Sequence, residues 1–137
     1  KVTVAGLLLS VVPWFVHAQG MNLKTGAWEI TTKGSMMPRP IVEKECITKS
    51  DLAQFSNGPD KDDDGDCNPV KPPAVTGNRW SAERRCADGR SVRAEFVAET
   101  TERVVGNIVS ATPKGGAPLT MQIIGRWLGA SCAGIAP

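Results

Sequence analysis

The chain has 137 residues, 16 of them basic and 14 acidic, with a formal net charge of +2 and 41% hydrophobic side chains. That length suits one domain, and a charge this balanced gives no electrostatic reason to expect nucleic acid or an anionic membrane as partner. There is one histidine, His17, and no tyrosine, which thins the supply of acid–base and nucleophile pairs.

Residues 1–18 begin with Lys1, continue as a mainly apolar run, and end on Val16-His17-Ala18. Charged, hydrophobic and small-residue regions in that order predict a cleavable secretion signal, cut after Ala18. The apolar run of about 15 residues is shorter than the roughly 20 that span a bilayer as a helix, and Pro13 interrupts it. Removing the signal takes away one basic residue and no acidic one, so residues 19–137 form a soluble domain of net charge +1 without histidine.

Cys46, Cys67, Cys86 and Cys132 remain. An even count in an exported chain reads as two disulfides, and no two cysteines lie close enough for the usual zinc spacing. Cys67 and Cys86 stand nearly symmetrically about the turn signal Gly77-Asn78, which favours a bridge across a hairpin. Cys46 and Cys132 are left to pair with each other.

Residues 27–32 put Trp28 and Ile30 on one face of a strand, and Glu29 and Thr31 on the other. A loop through Met36-Met37-Pro38 follows, then a strand over 41–47. Thr48 to Phe55 reads as a short helix, with Thr48 and Asp51 at capping-box spacing. The stretch 56–66 is a polar, acidic loop. Residues 68–75 are extended and proline-rich, which restricts them to an edge.

The next strand, 79–86, carries Trp80, Ala82 and Cys86 on one face. Residues 91–100 alternate, with Val92, Ala94, Phe96 and Ala98 inward, and 103–111 return after a tight turn. Pairing Glu99 with Arg103 sets Phe96 against Gly106 and Ala98 against Val104, so the apolar faces agree. The hairpin through Asp88-Gly89 is open in register. A three-residue loop aligns the apolar faces but opposes Arg85 to Arg93 and Glu83 to Glu95, which is unfavourable. The last strand, 119–127, places Leu119, Met121, Ile123 and Trp127 on one side. The pattern predicts a mainly β fold: six to seven antiparallel strands in a meander, curled into a barrel or half-barrel, with one short helix and two disulfides.

Gly26-Ala27-Trp28-Glu29-Ile30, the Met36-Met37-Pro38 loop, Cys46-Ile47-Thr48, the Cys67 and Cys86 pair, and Gly125-Arg126-Trp127 leading to Cys132 occur in a recognisable order. In these features, over about residues 21–132, the chain resembles the exported bacterial proteins called domain of unknown function 3617. The resemblance implies a periplasmic location and brings no catalytic residue with it. Gly26, Trp28 and Arg126 also echo the calycins, the lipocalin-like barrels that hold apolar ligands, although fold analogy carries no function.

Asp60, Asp62 and Asp64, followed by Gly65 and Asp66, match the start of a calcium loop, in which alternate oxygens wrap a hard cation. Lys71 stands where that loop needs its bidentate glutamate, and a proline-rich strand replaces the second helix. Met36 and Met37, without a nearby His or Cys, make a poor copper site. Trp28, Trp80, Phe96 and Trp127 are the bulkiest inward side chains and the candidate lining of a ligand pocket. Arg79, Arg84, Arg85, Arg90 and Arg93 mix with Glu83 and Glu95 as a charged outer face.

No catalytic motif emerges. The expected function is a non-enzymatic periplasmic domain that binds a small apolar ligand or an envelope protein. The alternative is a calcium-responsive structural or adaptor module that uses residues 60–66.

Overall fold

The computed structural model describes residues 21–57 and 67–136. The expected signal at 1–18, its cut after Ala18 and the aspartates of the acidic loop (Asp60, Asp62, Asp64 and Asp66) lie outside the described residues.

Seven strands and one helix follow in order: β1 (Gly26–Gly34), β2 (Ile41–Ile47), α1 (Lys49–Asn57), β3 (Cys67–Thr76), β4 (Arg79–Cys86), β5 (Ser91–Thr100), β6 (Arg103–Ala111) and β7 (Leu119–Gly129). They form one antiparallel sheet in the order β2-β1-β7-β6-β5-β4-β3. A meander in plain chain order would leave β1 and β7 as its two ends. Here those ends are hydrogen-bonded to each other, and the sheet is open between β2 and β3 instead, as a half-barrel.

The position of the opening has a local cause. Pro69, Pro72 and Pro73 have no N–H to give to a ladder, which suits β3 to an edge. Its pairing with β4 is already irregular between Pro69 and Ala74. The connection from β2 is also no tight hairpin, because α1 intervenes. Thr48 and Asp51 close the expected capping box: Thr48 N donates to Asp51 Oδ2 at 2.7 Å, and Asp51 N to Thr48 Oγ1 at 3.2 Å.

Strand registers decide which side chains share the inner face. Phe96 lies opposite Gly106 and Ala98 opposite Val104, as expected, but a register shift after Ala98 sets Thr100 and not Glu99 opposite Arg103, whose Nε still reaches Glu99 Oε2 at 2.6 Å. The β4–β5 register resolves the hairpin that the sequence left open. Cys86 N donates to Arg90 O at 2.8 Å, closing the loop on Ala87-Asp88-Gly89. That choice sets Glu83 opposite Arg93 and Trp80 opposite Phe96, so opposite charges meet outside while aromatic rings meet inside. Arg79 pairs with Glu95 on the same outer face.

Trp28 is 2% exposed and Trp80 5%. Trp80 and Phe96 pack edge to face, with ring centroids 5.6 Å apart. Met21, Trp80 and Ala98 form a buried cluster that gathers Leu23, Phe96 and Val104 around it. Met21 and Leu23 precede β1 and were not marked by any strand pattern. Lys24 N donates to Thr101 O at 2.9 Å, which holds this leading segment against the β5–β6 turn.

Two glycines make room for that core. A Cβ on Gly106 would stand 2.2 Å from Phe96 Cε1, and one on Gly125 would stand 2.6 Å from Val104 Cγ1. Both expected disulfides are present: Cys46–Cys132 ties β2 to the chain after β7, and Cys67–Cys86 joins β3 to β4.

Candidate functional site

The inner face does not fill completely. A cavity of about 390 Å³ remains between α1, β2, β1 and the facing parts of β5, β6 and β7. Its apolar wall is made by Trp28, Ile30, Phe96, Val104 and Ile123, with Met21 and Leu23 at one end and Ile47 and Leu52 on the α1 side. The volume falls within the roughly 300–1,000 Å³ usual for small-molecule sites.

The rim beside this wall, on β2 and α1, is acidic and solvent-exposed. Glu45 lies across from Trp28 and Glu43 across from Ile30, so the β1–β2 register turns both carboxylates to the same face as the apolar wall. Asp51 of α1 also lines the cavity. Its carboxylate is held below the usual range, first by the Thr48 hydroxyl and then by the Thr48 backbone N–H.

Six of the other carboxylates on described residues are matched by cations: Glu29 with Arg126, Glu83 with Arg93, Asp88 with Arg90, Glu95 with Arg79, Glu99 with Arg103, and Glu102 with Lys24. Neither Glu43 nor Glu45 is matched in this way among the described residues. No three His, Cys, Asp or Glu side chains among those residues come together closely enough to hold a metal ion.

The aromatic residues expected to line a pocket divide. Trp28 and Phe96 are in the cavity wall, whereas Trp80 stands behind Phe96 in the core cluster. Trp28 is fixed by Nε1 donating to Lys24 O at 2.9 Å. Trp127 lies across from Trp28 in the β1–β7 ladder but is absent from the cavity lining. Its Nε1 donates to Thr25 O at 3.0 Å, and the Lys24 ammonium sits 4.4 Å from its ring centroid. Arg126, the calycin-like position, turns to the outer face and bonds Glu29 at 3.0 Å. Met36 is 80% exposed at the β1–β2 turn.

A larger depression of about 490 Å³ lies elsewhere, along Lys33–Ser35, Asn107–Val109 and Thr120–Gln122. It has no aromatic side chain in its lining and lies away from the Trp28 and Phe96 face. The 390 Å³ cavity is the better candidate.

The family model described as Protein of unknown function (DUF3617) matches residues 23–132. The chain belongs to this family. No curated protein and no solved structure matches it. The DUF3617 region holds both disulfides and every cavity-lining residue except Met21. Sequence reading missed Glu43, Glu45, Ile47 and Leu52, because only the pairing of β2 with β1 decides which way β2 faces. Among the described residues, no helix is long and apolar enough to cross a membrane.

Proposed function

We propose that this DUF3617 protein is an exported, periplasmic, non-catalytic binding module that holds a small apolar ligand in its inner-face cavity. The observation that carries this reading is the wall of Trp28, Ile30, Phe96, Val104 and Ile123 around about 390 Å³ of open space. A domain of this size has little core to spare, and unfilled apolar volume weakens it. A ligand that fills the space returns that stability by mass action.

Two disulfides support a life in an oxidising compartment. The disposition of the carboxylates supports binding over catalysis, since most are engaged with arginine or lysine on the outer face. No histidine follows His17 in the chain.

Titration with 1-N-phenylnaphthylamine, an uncharged apolar fluorophore, tests the reading. One saturable site is expected, weakened at least about tenfold by Ile123→Trp, which fills the cavity from β7. Absence of saturable binding by the native protein would overturn it.

A further inference from the structure

The acidic rim specifies the ligand further. Resting on the apolar-cavity reading above, we infer that the cavity takes an amphiphile with an apolar body and a single organic cation as its head, received by Glu43 and Glu45.

Three observations converge. First, the cavity lining from β1, β5, β6 and β7 is apolar apart from Thr32, and β2 departs from it by presenting Glu43 and Glu45 between Ile41 and Ile47. Second, these exposed carboxylates stand two residues apart on one face, roughly 7 Å along the strand, so a single cationic head can meet both. The neighbouring Lys44 lies across from Glu29 on the opposite face and pairs with neither. Third, cations match the carboxylates of the outer face, while the pair at the cavity is left for something else to match.

The geometry selects the kind of cation. A metal ion needs three or more ligands converging on one point, and no such group occurs among the described residues. An ammonium or guanidinium group is satisfied by one or two carboxylates at the mouth while its apolar body lies on Trp28 and Phe96.

A different role for the same residues is edge protection, because β2 is an open edge and inward charges discourage strand addition. Three probes with the same tail, decyltrimethylammonium, 1-decanol and decanoate, separate the possibilities. They are titrated below their aggregation concentrations against the full chain after signal removal, with tryptophan fluorescence as the readout.

The inference predicts that the ammonium binds about tenfold or more tightly than 1-decanol, and decanoate more weakly than either. E43Q/E45Q removes that preference without weakening 1-decanol. Raising the salt concentration narrows it. Equal binding of all three probes, or a preference that survives E43Q/E45Q, overturns the cationic head and leaves the apolar cavity standing. A variant that keeps the preference but self-associates assigns the carboxylates to edge protection. Failure of all three probes to bind overturns both readings. Single E43Q and E45Q variants serve if the double variant loses its cooperative melt, and each is expected to show part of the loss.

Discussion

The ring of Phe96 occupies the space that a side chain at residue 106 would need: a Cβ on Gly106 would come within 2.2 Å of Cε1 and 2.3 Å of Cδ1. The two residues are directly opposed in the β5–β6 ladder. Phe96 therefore packs against β6 at Gly106, meets Trp80 edge to face and also lines the cavity.

Gly106→Ala is expected to destabilise the protein by about 1–3 kcal/mol through overpacking. It should also push the Phe96 ring toward the cavity and weaken 1-N-phenylnaphthylamine binding. Phe96→Leu in the Gly106→Ala background should recover part of the stability. Urea midpoints and fluorophore titrations of the three variants check both effects.

The two disulfides are expected to contribute unequally. Cys46–Cys132 closes 86 residues of sequence separation and Cys67–Cys86 closes 19. On the loop-entropy account, removing the first costs about 4–5 kcal/mol and removing the second about 3 kcal/mol. Cys46→Ala/Cys132→Ala should therefore have the lower denaturant midpoint, and the reverse order would argue against loop closure as the main effect.

The register of the β4–β5 hairpin depends on charge as well as on shape. Arg93 Nη2 lies 3.6 Å from Glu83 Oε2, with the arginine side chain 74% exposed. A pair so exposed is worth about 0.2–1 kcal/mol. Arg93→Glu should cost at least that much by opposing two glutamates, and Glu83→Arg/Arg93→Glu should restore most of it. A double-mutant cycle measures the coupling.

Asp51 should show the signature of its cap. Hydrogen bonds from Thr48 lower its folded pKa beneath the unfolded value, so its contribution to stability is complete above the unfolded pKa. That contribution is lost as pH falls through the folded pKa, in the acidic range below the ordinary aspartate value. Thr48→Ala is expected to bring the Asp51 titration back toward that ordinary value and to cost α1 about 1 kcal/mol. Carboxyl NMR titration and amide exchange along α1 read the two effects.

Much of the sheet was legible because its signals are local. Alternation marked β5 and β7, the matching of apolar faces set Phe96 against Gly106 and Ala98 against Val104, Gly77-Asn78 marked the turn that carries Cys67–Cys86, and the Thr48–Asp51 spacing marked the start of α1. What escaped depends on contacts between distant residues. The pairing of β1 with β7 joins Trp28 to Trp127 across most of the chain, and no local pattern announces it. Met21 and Leu23 lie outside any alternating run, yet they cover the Trp80–Ala98 core. Strand β2 reads as Ile41, Glu43, Glu45, Ile47 on one face and Val42, Lys44, Cys46 on the other. Neither face is plainly apolar, so its orientation follows only from lying beside β1. The candidate site was half visible for the same reason: Trp28 and Phe96 belong to strongly patterned strands, while Glu43 and Glu45 do not.

Native mass spectrometry of the protein purified under non-denaturing conditions from the cells that make it tests the central claim most directly, because it asks whether the cavity is occupied. The account predicts one bound small molecule per chain, lost when Ile123→Trp fills the cavity. A clean unliganded mass for the native protein, together with no saturable 1-N-phenylnaphthylamine binding, would contradict it.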